Sequence, residues 1–159
     1  MVGVDRYISA EVKNVLAFGE GRAEDASLEG YAPLDPDHFG LSAQVFIGDT
    51  ARNHSDSFDI TVCSPAWFAA QVAAGEWERF RSVGLRALPG AVAPGHGLWF
   101  MHRWDRTVFE EALTVVCDSF SPGPDWGSVA SRIGRLIPWE SDYKYDQHVD
   151  QHPGPPFPP

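Results

Sequence analysis

Two runs of strict alternation constrain this chain more than anything else in it: Leu41-Ser42-Ala43-Gln44-Val45-Phe46-Ile47 and Phe58-Asp59-Ile60-Thr61-Val62-Cys63. Successive side chains of an extended strand point to opposite faces. Leu41, Ala43, Val45 and Ile47 therefore share one side of the first run, and Phe58, Ile60 and Val62 share one side of the second. The polar stretch from Gly48 to Asp56 between them suits an antiparallel hairpin. One face of that hairpin goes to a core, while the other carries the solvent-compatible Ser42, Gln44, Asp59 and Thr61. An apolar sheet face must be covered by another layer, and the segments downstream have the period to supply it.

Ser64-Pro65 begins the first helix: a serine can accept from the unpaired N–H groups of a first turn, and proline at the first helical position gives up no hydrogen bond. The expected helix runs from Ala66 to Ala74, with Gly75 as its stop and Trp67, Phe68, Ala70 and Val72 on a buried face. Upstream, Ile8 to Val15 alternates as a half-buried strand with Glu11 and Lys13 outward, and Gly19 to Gly40 reads as a long connection rich in Gly, Pro, Asp and Glu. Leu98 to Trp104 is aromatic enough for a fourth strand, with Leu98, Phe100, His102 and Trp104 on one face. Asp105 or Thr107 then caps a helix, Thr107 and Glu110 having capping-box spacing, in which Phe109, Ala112, Leu113, Val116 and Phe120 recur at helical intervals and Glu110, Glu111 and Asp118 stay wet. Asp125 caps the last helix, with Trp126, Val129, Ala130, Ile133, Leu136 and Ile137 on one face and Pro138 as terminator. The reading is an α+β fold: a single domain over residues 6–143, a mostly antiparallel sheet of about four strands packed with three helices in the order β-β-β-α-β-α-α. A Pro-rich disordered tail, 144–159, follows it.

The 159 residues suit one domain. Twelve Lys and Arg face 22 Asp and Glu, for a formal charge of −10. That balance argues against binding nucleic acid or a membrane surface, both of which need local positive charge. The acidity is uneven: residues 1–60 hold eleven acids and four bases, a net of −7. Cys63 and Cys117 are too few for a stapled secreted scaffold and are read as reduced thiols. The first fifteen residues mix Asp5, Arg6, Glu11 and Lys13 into their apolar positions, so no signal peptide is expected and the protein is placed in the cytoplasm.

No cluster has the form of an active site. His96 and His102 lie six apart across a Gly-rich turn, with Asp105 the only nearby carboxylate, which makes a His/Asp hydrolase or a metal-dependent enzyme the alternative function. His148 and His152 have i,i+4 spacing, but their Pro-rich surroundings do not support a helix. Cys63 precedes a helix N-terminus without a neighbouring histidine, and Asp56 and Asp59 are explained by turn capping and a solvated strand. Trp67, Trp104, Trp126 and Trp139 read as core anchors, whereas Trp77 and Trp99 fit a core less well. No catalytic residue, cofactor or metal ligand is assigned, and the protein is read as a non-enzyme.

The run from Asp56 to Phe68, in particular Phe58 to Trp67, resembles the strand-to-helix signature of the immunity protein 8 family of bacterial polymorphic toxin systems. The resemblance extends to Ile47-Gly48, to Arg103-Trp104-Asp105 and to Ile137-Pro138-Trp139-Glu140, and spans roughly residues 8–143. It implies a small cytosolic antitoxin that binds and blocks a cognate toxin domain, without catalysis or cofactor. Many such toxins are nucleases with positive clefts, which an acidic inhibitor meets favourably. The charge then points to Glu24, Asp25, Glu29, Asp35 and Asp37 of the long connection, Asp49 and Asp56 of the hairpin turn, and Asp59 on the outer sheet face as candidate partner-binding residues. The competing non-catalytic reading is a regulatory interaction module that offers its Pro-rich tail to a polyproline-binding domain.

Overall fold

The computed structural model describes residues 7–74 and 97–141. The elements follow the expected order: β1 (Ala10–Gly19), β2 (Gly40–Asp49), β3 (Asp56–Cys63), α1 (Pro65–Ala73), β4 (Leu98–Phe100), α2 (Arg106–Phe120) and α3 (Trp126–Ile133). They form one α+β unit around a four-stranded sheet of order β1-β2-β3-β4. β1 to β3 are antiparallel, and β4 joins β3 in parallel. Residues 75–96, Trp77 and the Gly75 stop among them, and the tail lie outside the described residues.

The hairpin takes the register that its alternation demands. Val45 pairs with Phe58, Ala43 with Ile60 and Leu41 with Val62, and all six are buried. A slip of one residue would turn this whole set to the opposite face, which is why burial fixes the pairing. α2 contributes Phe109, Leu113, Val116 and Cys117 to the same core, and α3 contributes Val129, Ala130 and Ile133. Each large apolar side chain buried here is worth roughly 1.5–3 kcal/mol against leaving it in water. Phe58, wholly buried, stacks on Trp139 with ring centroids 6.4 Å apart.

Several boundaries differ from the sequence reading. β1 starts at Ala10 and runs on to Gly19, with a register irregularity between Val12 and Asn14. β4 stops at Phe100, so His102 and Trp104 are not on a strand face, and Trp104 donates its backbone N–H to Pro36 O instead. The reason lies on β3, which ends at Cys63 opposite Phe100, so a parallel neighbour has no strand left to follow; nearer the start of β3 the same edge is held by a second segment. Thr61 N–H donates to Gly97 O and Met101 N–H to Cys63 O, while lower down Asp59 N–H donates to Pro138 O and Glu140 N–H to Ser57 O. Gly97 has φ +72, and a Cβ there would press on the Pro138 ring, so glycine is what lets the two covering segments meet.

The helix starts follow the capping chemistry. Ser64 Oγ accepts from Trp67 N–H, Asp105 Oδ1 from Val108 N–H and Asp125 Oδ1 from Ser128 N–H. Asp105 is therefore the cap of α2, and Thr107 sits inside the helix rather than heading a capping box. α1 buries no residue completely: Trp67, Phe68, Gln71 and Val72 are half-buried. The Trp67 indole lies so close over Gly40 that any Cβ there would collide with it, and Phe68 meets Phe100 edge-on at 5.2 Å. α3 ends at Ile133, short of Pro138, leaving Leu136 44% exposed while Ile137 returns to the core. The connection from 20 to 39 lacks periodicity, yet it buries Leu28, Tyr31 and Phe39. Tyr31 and Phe39 both meet the Trp104 ring edge-on.

Candidate partner interface

The eight carboxylates singled out by charge occupy different environments. Glu24, Asp25 and Glu29 are exposed on the connection between β1 and β2, which is pinned to the β1 edge where Ala17 N–H donates to Ala26 O. Asp25 Oδ1 accepts from Ser27 N–H, and that hydrogen bond holds its carboxyl below the ordinary range because it favours the charged form. Glu29 lines a groove of about 400 Å³ together with Lys13, Arg106 and Glu110.

Asp35 and Asp37 sit further along the same connection. Asp35 Oδ1 accepts from Asp37 N–H, and the Arg103 guanidinium reaches both Asp37 oxygens at 3.0 Å. Asp35 shares a small concavity with Glu20, His38, Trp67 and Leu34, the last of which is 85% exposed. Leu34 and Glu20 carry no periodic or motif signal, so only exposure in the folded chain brings them forward.

The hairpin-turn pair behaves differently. Asp49, expected in the turn, is the last residue of β2 and only 5% exposed, with Oδ1 accepting from Ala51 N–H. Asp56 opens β3, and its Oδ2 accepts from two indoles, Trp126 Nε1 at 2.8 Å and Trp139 Nε1 at 2.9 Å. Asp56 thus joins β3 to the start of α3 and to the C-terminal segment that covers the β3 edge. Both aspartates serve the fold, whatever else they meet.

Asp59 is exposed on the outer sheet face opposite Gln44, beside Ser42 and Thr61. Partial loss of water around its carboxyl, with the Glu140 charge nearby, pushes its pKa up. The outer face is less polar than the hairpin alone suggests. Phe18 pairs with Ser42 and Phe46 with Ser57, and Phe18 remains exposed.

The residues of the alternative enzymatic reading do not converge among those described. His102 is exposed, Asp105 is occupied as the α2 cap, and His96 lies outside the described residues, as do His148 and His152. No group of three or more His, Cys, Asp or Glu among the described residues is placed to hold a metal ion. Cys63 and Cys117 are free and buried, and burial pushes their thiols up to about 12 and about 11. No helix among the described residues is long and apolar enough to cross a membrane.

The stretches that carry the sequence signature are one structural unit. Phe58 stacks on Trp139, Asp56 accepts from its indole, and Ser57 N–H donates to Glu140 Oε1. Trp104 packs against Tyr31, Phe39 and Phe109 while Asp105 caps α2. The sequence model of the family described as Immunity protein 8 matches residues 20–143, well over half the chain. The chain belongs to the Immunity protein 8 family. No curated protein and no solved structure matches it. As an immunity protein it has an antitoxin role, which implies a cognate toxin protein as partner. The stretches that carry the sequence resemblance lie in the scaffold: Phe58 is wholly buried and Trp139 nearly so.

Proposed function

We propose that this immunity protein acts in the bacterial cytoplasm, binding and neutralising a basic, nuclease-type toxin domain through its acidic surface, as a stoichiometric inhibitor without catalysis or cofactor. The observation that carries the reading is family membership, taken with the exposure of six carboxylates: Glu24, Asp25, Glu29, Asp35, Asp37 and Asp59. A nuclease must hold phosphates and so presents positive charge. An acidic inhibitor of net charge −10 is steered toward such a cleft and competes with the nucleic acid for it. Among exposed charges this acts on the association rate more than on the final affinity, and it weakens as salt rises.

The test is titration of the purified protein against the toxin domain encoded beside it, at several ionic strengths, together with protection of cells that express that toxin. Nanomolar or tighter binding is expected, with an association rate that falls steeply with salt. Glu24→Lys, Asp25→Lys and Glu29→Lys in combination should slow association by tenfold or more at low salt. Failure to bind or protect against any neighbouring toxin refutes the antitoxin reading, and salt-independent association refutes the electrostatic one.

A further inference from the structure

At the end of the β2–β3 hairpin lies a cavity of about 300 Å³ lined by Ile8, Asp49, Arg52, His54 and Trp126. That is about ten times a water molecule's share of liquid volume, roughly 30 Å³. The Asp49 carboxylate is the most buried acid in this site, and its two oxygens differ. Oδ1 accepts from Ala51 N–H, whereas Oδ2 is fully buried and has no hydrogen-bond partner among the described residues. Among the described residues its ion-pair partner is the Arg52 guanidinium, whose Nε stands 3.7 Å from Oδ2, beyond hydrogen-bond reach, on a side chain that is 66% exposed. The neighbouring acid is already engaged, since Asp56 Oδ2 accepts two indole N–H groups and His54 Nε2 lies 3.4 Å from Asp56 Oδ1.

A buried carboxylate oxygen without a donor is costly, and proteins rarely leave one in that state. The walls define what would satisfy it. Ile8 and Trp126 offer apolar surface to a long methylene stem, and Asp49 supplies the acceptor. Arg52 is 66% exposed, so its side chain can leave Asp49 without unpacking the core.

We propose that this cavity receives one basic side chain, lysine or arginine, of the cognate toxin domain, which donates to Asp49 Oδ2 and displaces the Arg52 guanidinium. The contact rests on the antitoxin reading above and adds to it a single desolvated charge pair at the Asp49 end of β2, apart from the exposed carboxylates of the 20–39 connection, which joins β2 at its other end, Gly40. Removing one member of such a pair is the kind of change that raises the dissociation rate, in contrast to changes in rim charges.

The decisive substitution is Asp49→Asn, which keeps an oxygen for Ala51 N–H and replaces the second acceptor by a donor. Binding of the full-length protein to the neighbouring toxin domain should weaken by about 30-fold or more, through faster dissociation, with thermal melting close to wild type. Arg52→Ala removes the internal competitor and should bind at least as tightly as wild type. In the toxin, one Lys→Met or Arg→Met substitution should be non-additive with Asp49→Asn. Wild-type affinity in the Asp49→Asn protein overturns the proposal while leaving the antitoxin reading intact. Equal weakening by Arg52→Ala also overturns it, because Asp49 and Arg52 would then act together to shape the turn. If the wild-type protein binds no neighbouring toxin, both readings fall.

Discussion

Asp56 offers the clearest separation of scaffold from interface. Replacing it with alanine removes the acceptor of two indole N–H groups at once, Trp126 at 2.8 Å and Trp139 at 2.9 Å. Hydrogen bonds to a charged group contribute about 1.5–3 kcal/mol each, and a buried donor left alone adds its own desolvation cost. Both indoles belong to one carboxylate oxygen and one is only half-buried, so the two losses overlap and the total is set at about 3–4 kcal/mol. Against a total stability of about 5–15 kcal/mol that is a large share. For a domain of this size each kcal/mol moves Tm by roughly 2–4 °C, so Asp56→Ala should melt roughly 10 °C below wild type. Asp56→Asn keeps an acceptor oxygen and should recover about half of the loss. The assay is calorimetric or circular-dichroism melting, with Trp126→Phe and Trp139→Phe completing a double-mutant cycle. An Asp56→Ala protein that melts within about 1 °C of wild type refutes the assignment of Asp56 to the scaffold.

Three further outcomes follow from the same geometry. Ser64 Oγ accepts from both Trp67 N–H and Phe39 N–H, so Ser64→Ala should cost about 2 kcal/mol, read as a lower denaturant midpoint at constant slope. The Cys63 and Cys117 thiols, raised to about 12 and about 11, stay protonated and resist alkylation at pH 8 until the chain unfolds. Because the folded values lie above the unfolded ones, their contribution to stability is complete below about pH 9 and declines as pH rises toward 11–12, which melting across that window will show. Asp59 is also raised, by partial desolvation and the Glu140 charge, so its ionised form opposes folding at neutral pH. Asp59→Asn should therefore raise Tm at pH 7 and lose that advantage below the ordinary carboxylate range; a lower Tm at pH 7 contradicts it.

The parts of the fold visible in the sequence are those whose burial imposes a period. Leu41 to Ile47 and Phe58 to Val62 alternate because one sheet face is dry, and Phe109, Leu113 and Val116 recur because one helix stripe is. The connection from 20 to 39 hides three core residues, Leu28, Tyr31 and Phe39, since an irregular backbone points side chains inward at no fixed interval. β4 is shorter than its aromatic run suggests because β3 itself ends at Cys63 opposite Phe100, where the chain turns into α1, so the strand it would follow is gone. Charge alone picks the candidate interface residues and says nothing of their roles. Asp49 and Asp56 look like turn acids in a row of polar residues, and only the approach of Trp126 and Trp139, 70 and 83 positions beyond Asp56, shows what Asp56 does.

The divided edge of β3 also bears on when the sheet is complete. Chains emerge from the ribosome N-terminus first, at roughly 5–20 residues per second, and pairings distant in sequence form slowly. The hairpin and the first helix are out long before Trp139 can stack on Phe58 or Glu140 can pair with Ser57. Until then the lower half of β3 is an open strand edge, the kind of surface that invites pairing with another chain. The edge therefore closes only in chains whose residues 138–140 have been made, and a shorter chain carries a sheet not yet sealed along β3.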